Sequence, residues 1–214
     1  MKTDDLIESL VADLAPVRPG AVRLGIAATA AAGGAVALAL VFVWLGLRPD
    51  LAEAAGGMMF WMKAGYAVVL AAAGFWCAER LARPAGSPRP GLTLAIAALA
   101  FVLLLGLGRM AMAPPADRMA MWLGGSWRRC PIYILTLSAP TLALALLAVR
   151  RFAPTRLRMA GAAAGLFAGG VAAAIYGLHC TETSMAFLAT WYSLGMALSA
   201  AVGALVGPWA LRWR

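Results

Sequence analysis

Charged side chains are scarce in this chain of 214 residues, at 13% of the sequence, about half the share of a typical soluble domain. Histidine occurs once, and the three cysteines form no Cys-x-x-Cys motif. The first shortage excludes an ordinary soluble domain, and the second argues against a thioredoxin-like redox centre. The chain also opens without the basic, apolar and small-residue pattern of a cleavable signal peptide, so we expect none.

Apolar residues make up 63% of the chain and fall into six runs. Each run has about 20 residues, the length that crosses a hydrocarbon core of about 30 Å. The predicted spans are 25–47, 58–78, 91–113, 131–149, 157–178 and 185–211. The sequence therefore predicts an all-α, polytopic membrane helix bundle with six transmembrane helices. An N-terminal segment, 1–24, precedes the transmembrane domain, 25–214.

Lysine and arginine between the spans predict the orientation. Twelve lie in the N-terminal segment, loops two and four and the C-terminus, whereas five lie in loops one and three. The basic-rich side of a membrane protein faces the cytoplasm, so we expect both termini in the cytoplasm of a multi-pass inner-membrane protein. The net charge of +9 then reflects topology in a lipid bilayer, and no direct nucleic-acid partner is expected.

Two further features describe the spans. Gly161, Gly165 and Gly169 recur every four residues, which places them on one helix face and predicts close packing of the fifth span against a neighbour. Pro140 predicts a bend in the fourth span. No acidic residue lies at the centre of a span, which argues against an ion or solute pathway.

Residues 3–15 predict a short amphipathic helix that ends before Pro16. Leu6, Ile7, Leu10, Val11 and Leu14 share one face, and Asp4, Asp5, Glu8 and Asp13 lie largely elsewhere. Four acidic residues against Lys2 disfavour binding to an anionic leaflet. Two alternatives remain: the helix docks into an apolar groove on a basic protein partner, or it folds back on the basic loops of its own chain.

Cys130 and Cys180 lie 25 residues on either side of Thr155, in the turn between the fourth and fifth spans. Because a helix rises about 1.5 Å per residue, an antiparallel pair would carry both thiols to similar depth on one side. That side is the predicted periplasm, where disulfides persist. Arg128 and Arg129 flank Cys130, and we expect these cations to favour its thiolate.

The residues leave three roles open for this pair. It could form a structural disulfide, act as a redox switch, or bind a soft metal ion together with His179. No other cofactor is expected. Cys77, near the other end of its span, is predicted to be a buried small apolar residue. Lys63 is expected to extend to the outer interface, and Glu182 to be solvated in loop five.

Three blocks of residues carry a resemblance. The first begins with residues 3–7 and runs to Pro16-Val17, and the second is 127–131 around Cys130. The third is 176–182, followed by Phe187 and Trp191-Tyr192. In these blocks, and over essentially its whole length, the sequence resembles the NrsF family of six-span anti-sigma factors. The resemblance implies that an extracytoplasmic-function (ECF) sigma factor is held inactive at the inner membrane. The resemblance also implies that the sigma factor is released when a periplasmic heavy-metal or oxidative signal acts on the two cysteines.

Carried over by position, the resemblance makes Cys130 and Cys180 the signal-sensing pair and favours the switch over a structural disulfide. The implied sigma-binding residues are Asp4, Asp5, Leu6, Ile7 and Leu10. It implies no enzymatic activity. The competing classes are a membrane thiol–disulfide redox protein, a small metal or solute transporter, and a structural membrane scaffold.

Overall fold

The computed structural model of the chain describes residues 3–12, 20–83 and 85–212. The helices are, in chain order, α1 (Thr3–Ala12), α2 (Ala21–Leu40), α3 (Leu51–Ala55), α4 (Met58–Leu81), α5 (Arg89–Met112), α6 (Pro115–Leu123), α7 (Cys130–Arg150), α8 (Leu157–Tyr176), α9 (Met185–Phe187) and α10 (Ser193–Ala210). Wider π-helical turns extend α2 over Val41–Leu45 and join α9 to α10 over Leu188–Tyr192. Loops one to five are the connections between consecutive spans.

Six helical stretches of the described chain are long and apolar enough to cross a membrane. They are Ala21–Leu45, Met58–Leu81, Arg89–Met112, Cys130–Arg150, Leu157–Tyr176 and Met185–Ala210. Their lengths of 20 to 26 residues correspond to about 30 Å or more. The predicted all-α bundle of six spans is confirmed. The first span begins at Ala21, four residues earlier than predicted, and α7 continues through Pro140 as one helix.

The buried side chains form two clusters, one towards each end of the bundle. The first joins Cys130 and Cys180 to Val41, Tyr66 and Phe187, and we call this the thiol end. The second joins side chains from the opposite ends of the spans: Ile26, Leu81, Val149, Ala160 and Leu211. Because Ile26 and Leu211 share the second cluster, the start of the first span and the end of the last span lie together.

Helix α8 is the most enclosed of the six spans, and its glycines explain why. A Cβ atom added at Gly161 would collide with the carbonyl of Gly203, and one added at Gly165 would collide with the carbonyl of Ser199. One at Gly169 would lie 3.0 Å from the Cα atom of Met196. The predicted close packing is therefore confirmed, and its partner is α10. Packing against α4 is also close, because Gly170 lies against Ala71.

The substitution Gly161→Ala is expected to push α8 and α10 apart and to lower stability by about 1–3 kcal/mol, a typical cost of overpacking. Gly108→Ala is the matched control, since no atom lies within 4 Å of the added methyl group. The control should unfold at the parent temperature or slightly above it, because alanine favours helix over glycine by about 1 kcal/mol. Thermal unfolding in detergent, followed by circular dichroism, compares the two. Equal midpoints would contradict this packing.

Candidate functional site

The two predicted sensing thiols lie in one buried cluster at the thiol end. Cys130, the first residue of α7, is 0% exposed, and Cys180, in the loop after α8, is 3% exposed. The amide of Cys130 donates to the Ser126 carbonyl at 2.9 Å, and the amide of Cys180 donates to the Tyr176 carbonyl at 3.0 Å. All three cysteines of the chain are free thiols. The prediction that Cys130 and Cys180 share one end is confirmed.

Lys63 lies beside these thiols, and the prediction that it extends to the interface is wrong. Its side chain is buried at 3% exposure. Its Nζ atom donates to the carbonyl oxygen of Cys180 at 3.0 Å and to the Cys180 Sγ atom at 3.7 Å. It also lies 5.7 Å from the ring centroid of Tyr192, within the range of a cation–π interaction. Lys63 points inward because these acceptors can satisfy a buried ammonium group.

A second buried cation holds the same carbonyl. Arg48, 6% exposed, donates to the Cys180 oxygen at 3.1 Å and makes two hydrogen bonds, of 2.8 and 2.7 Å, to the Asp50 carboxylate. The guanidinium hydrogen bond holds the pKa of Asp50 below its ordinary value of 3.8 and raises the pKa of Arg48. This ion pair therefore persists at neutral pH and is lost only as the pH falls through the lowered pKa of Asp50.

Glu182 connects loop three to loop five, so the prediction that it is simply solvated is wrong. One of its oxygens accepts from the amide of Gly125 at 2.8 Å, and from the amide and hydroxyl of Ser126 at 3.0 and 2.9 Å. The Ser126 carbonyl in turn accepts from the amide of Cys130. A single carboxylate two residues after Cys180 thus joins the backbone segments that carry both thiols.

Arg128 and Arg129 are not the cations that face the thiols. Both side chains are exposed, and the Arg128 guanidinium lies over the Trp127 ring, 4.8 Å from its centroid. The two neighbours of Cys130 in sequence therefore do not contact its thiol, and the cation that contacts a thiol of this site is the distant Lys63, at Cys180. The reason is the direction of the chain at the start of α7, which turns Cys130 inward and its preceding arginines outward.

Two polar groups near the thiols complete the site. The Tyr192 hydroxyl is fully buried beside the Cys180 sulfur, and no nitrogen or oxygen atom in the described part of the chain is hydrogen-bonded to it. His179 is half-buried, and its Nδ1 atom lies 2.9 Å from the carbonyl oxygen of Gly46. Among the described residues, no group of three His, Cys, Asp or Glu side chains is arranged to hold a metal ion. A metal site at Cys130, Cys180 and His179 stays a prediction.

The predicted N-terminal helix is present as α1, over Thr3–Ala12. Ile7 and Val11, one turn apart, are 54% and 60% exposed, so they form an uncovered apolar stripe. The side chain of Asp5 is also exposed. The other predicted positions, namely the side chains of Asp4, Leu6 and Leu10 and all of residues 13–16, lie outside the described residues.

At the opposite end of the bundle is a carboxylate that the sequence did not single out. Glu79, near the end of α4, has a side chain that is 2% exposed, and its Oε1 atom accepts from Arg23 and from Arg83, each at 2.9 Å. Arg23 belongs to the first turn of α2, at the end of the predicted N-terminal segment 1–24. The i,i+4 spacing of Glu79 and Arg83 was a visible signal, but the partner from α2 was not. Cys77 is buried, as predicted, and its thiol donates to the Pro88 carbonyl at 3.4 Å.

These features define a polytopic α-helical membrane protein with a buried thiol site at one end and a buried carboxylate near the other. The chain belongs to the NrsF family, whose model, described as "Negative regulator of sigma F", matches residues 10–213. It is 45% identical to the anti-sigma-F factor NrsF of Caulobacter vibrioides, over 214 residues and the full length of both chains. It is 39% identical to the probable anti-sigma-F factor NrsF of Azospira oryzae, over 218 residues and again the full length of both.

No solved structure matches this chain. The family description and the names of both relatives point to a regulatory role rather than to catalysis. The resemblance noted in the sequence is thereby confirmed at the level of the family. The names say nothing about the roles of Cys130, Cys180 or the N-terminal residues.

Proposed function

We propose that this protein is a membrane-bound anti-sigma factor that holds an ECF sigma factor inactive at the bacterial inner membrane. A periplasmic heavy-metal or oxidative signal acts on Cys130 and Cys180 and releases the sigma factor. The observation that carries the proposal is the burial of both thiols together, beside the Lys63 ammonium group, in a chain whose full-length relatives are named anti-sigma factors.

The proposed orientation puts the thiol end in the periplasm and both termini in the cytoplasm. Loops two and four, together with the helix ends beside them, carry seven arginines at the end of the bundle opposite to the thiols, as expected for a cytoplasmic side. A periplasmic thiol pair can be oxidised and stay oxidised, whereas cytosolic thiols are kept reduced. The orientation therefore separates a sensing end from a sigma-binding end.

The sigma-binding surface is proposed to begin with α1. Its exposed stripe, Ile7 and Val11, offers apolar contacts, and Asp5 adds negative charge that suits a basic surface on the partner. Asp4, Leu6 and Leu10 are assigned to the same surface from the sequence. A helix of this length is marginally stable alone, so binding to the sigma factor should stabilise it.

The signal has a continuous route through α4. This helix contacts Cys180 through Lys63 and contacts Arg23 through Glu79, and the two side chains are 16 residues, or about 24 Å, apart along the helix. Helix α8, which leads directly to Cys180, packs on α4 through glycine contacts. A change at the thiols can therefore shift both helices, and with them the chain that enters α2 from the N-terminal segment.

The chemistry at the thiols can supply a large part of the energy required. Moving from 99:1 bound to 99:1 free needs a difference of about 5.5 kcal/mol between the two states. A disulfide typically contributes about 2–4 kcal/mol to stability, and a difference of that size between the bound and free states would change their ratio roughly 30- to 700-fold, short of the full range. A soft cation held by Cys130 and Cys180, with His179 as a further ligand, would favour thiolate over thiol and could act on the same equilibrium. No resident cofactor is proposed.

Co-purification from membranes tests the proposal. The full-length chain should retain an ECF sigma factor, and deletion of residues 1–17 should abolish retention. Ile7→Ser should weaken it strongly because it removes an exposed apolar contact, whereas Ala12→Ser, an exposed position on the same helix, serves as the matched control. Retention that survives the deletion would overturn the assignment of α1. Catalytic turnover of an electron acceptor, or metal efflux without any bound sigma factor, would favour the redox-protein or transporter alternative.

A further inference from the structure

The two thiols of the site differ in their surroundings. Cys180 lies in a non-helical loop, with its sulfur 3.7 Å from the Lys63 Nζ atom. Cys130 is fixed in the first turn of α7, and it has the Tyr176 side chain against it. Both sulfurs lie near Lys63, but only Cys180 accepts a hydrogen bond from it among the described contacts. The pair is therefore chemically asymmetric.

The groups that face the Lys63 ammonium group belong to Cys180 and Tyr192. A lysine ammonium group has three donors and no acceptor. Here it faces the oxygen of Cys180, the sulfur of Cys180 and the ring of Tyr192. The nearby carboxylate, Asp50, is engaged by both Arg48 hydrogen bonds. A negative charge that develops on the Cys180 sulfur is thus stabilised by an adjacent cation, and the thiolate is the form of cysteine that attacks electrophiles.

We propose that Cys180 is the thiol that reacts first, that Lys63 is its activating charge partner, and that Cys130 resolves the product. This assignment rests on the proposed function of the pair as a sensor, and it specifies how an oxidant would act there. The oxidant class is a small hydroperoxide, such as hydrogen peroxide, which can reach a sulfur that is only 3% exposed more readily than a bulky reagent can.

The chemistry balances in two steps. The Cys180 thiolate attacks one oxygen of the hydroperoxide, so the S–O bond forms, the O–O bond breaks, and the leaving hydroxide takes a proton and departs as water. Cys180 is then a sulfenic acid, oxidised by two electrons. The Cys130 sulfur attacks the Cys180 sulfur, the S–S bond forms and the S–O bond breaks, and the hydroxyl group leaves as water with the proton of Cys130. One peroxide and two thiols give one disulfide and two waters.

The orphaned hydroxyl of Tyr192 fits the same assignment. It is buried beside the Cys180 sulfur, a weak acceptor, and has no nitrogen or oxygen partner in the described chain, although buried polar groups are nearly always satisfied. A sulfenic acid adds an oxygen atom to Cys180, and that oxygen can accept from the hydroxyl. The first oxidised product of Cys180 would therefore offer the Tyr192 hydroxyl a stronger acceptor than the sulfur of the reduced site.

Trapping of sulfenic acid in the purified full-length chain tests the order of reaction. Single variants Cys130→Ser and Cys180→Ser are exposed to hydrogen peroxide, timed samples are unfolded in the presence of a sulfenic-acid-specific diketone, and the adduct is located by peptide mass. The adduct should form at Cys180 in the first variant at least tenfold faster than it forms at Cys130 in the second. Equal rates, or a faster reaction at Cys130, would overturn the proposal. This comparison needs no substitution of Lys63.

Lys63 is tested in the Cys130→Ser background. Lys63→Met should slow adduct formation at Cys180 at least tenfold, and Lys63→Arg should retain most of the rate. Arg48→Met is the matched control: Arg48 donates to the same carbonyl oxygen as Lys63 but not to the sulfur, so its loss should leave most of the rate. Equal slowing by Lys63→Met and Arg48→Met would show that both merely hold the loop, and would contradict the activating role.

These oxidation assays do not involve a sigma factor, so the order of thiol oxidation and the sensor function can be refuted independently. Rapid, Lys63-dependent oxidation of Cys180 in a protein that never releases its sigma factor would preserve the order of reaction and refute the sensor function. Release on oxidation, combined with first attack at Cys130, would preserve the function and refute the order.

Discussion

Replacing both Cys130 and Cys180 with serine is expected to abolish induction of the sigma-dependent genes by a thiophilic metal ion or by hydrogen peroxide. Serine preserves the size of each side chain, so the buried cluster at the thiol end should remain packed. It cannot form a disulfide, and its neutral hydroxyl is a poor ligand for a soft metal. We expect a loss of more than tenfold in induced expression, with basal expression unchanged, measured with a reporter gene.

Cys77→Ser is the matched control for this experiment. Cys77 is also buried, but it belongs to the cluster at the opposite end and donates to the Pro88 carbonyl, a bond that a serine hydroxyl can also make. Its replacement should leave induction intact. Unaltered induction in the double variant would refute the sensing role of the pair. A constitutive response would instead indicate that the reduced thiols are needed to hold the sigma factor.

The second large effect is expected from Glu79→Met, which should weaken retention of the sigma factor at least tenfold. The substitution removes the acceptor of Arg23 and Arg83 but fills a similar volume, and both arginines are more than half exposed, so water can solvate them. The bundle should therefore stay folded. Without Glu79, the start of α2 is less restrained, and the proposed binding segment that precedes it is held less well at this end of the bundle. The lower effective concentration of the binding segment can weaken retention by more than the free energy of the Arg23–Glu79 ion pair alone.

Arg23 and Arg83 provide the comparison, since each donates to the same oxygen of Glu79 at 2.9 Å. Arg23→Met should reproduce the weaker retention, because Arg23 lies at the end of the N-terminal segment, where α2 begins. Arg83→Met should have a small effect, because its ion pair joins Glu79 only to the turn that follows the same helix. The fraction of sigma factor that co-purifies with each variant, at equal amounts of folded protein, gives the answer. Retention at the level of the parent chain in Glu79→Met, Arg23→Met and Arg83→Met would contradict a link between Glu79 and the binding segment.

The sequence predicted the bundle well because membrane spans depend on the length of an apolar run, which can be read locally. It also placed Cys130 and Cys180 at one end, because counting residues along two antiparallel helices fixes relative depth. The glycines at 161, 165 and 169 predicted a close helix contact for the same reason: four residues return to one face. Each of these inferences needs only neighbouring residues or a fixed helical rise.

The surroundings of the thiols could not be predicted in this way. Lys63 and Cys180 are 117 residues apart in sequence and make contact through packing alone. Periodicity did not tell whether Lys63 faced lipid or the bundle, and a lysine near a span end usually extends to the interface. Arg128 and Arg129 were assigned to Cys130 by adjacency, yet they lie exposed in the turn before α7, whereas Cys130 is buried at the start of the helix. Glu182 was treated as solvated because its three donors lie in another loop.

The central claim is that the chemical state of the Cys130–Cys180 pair controls release of the sigma factor, and inverted membrane vesicles carrying the complex test it directly. The same samples are assayed for bound sigma factor and, by mass spectrometry, for the fraction of chains with a Cys130–Cys180 disulfide as hydrogen peroxide is raised. We predict that bound sigma factor falls in step with disulfide formation and returns after reduction. Sigma factor that stays bound while the pair is fully oxidised would contradict the claim.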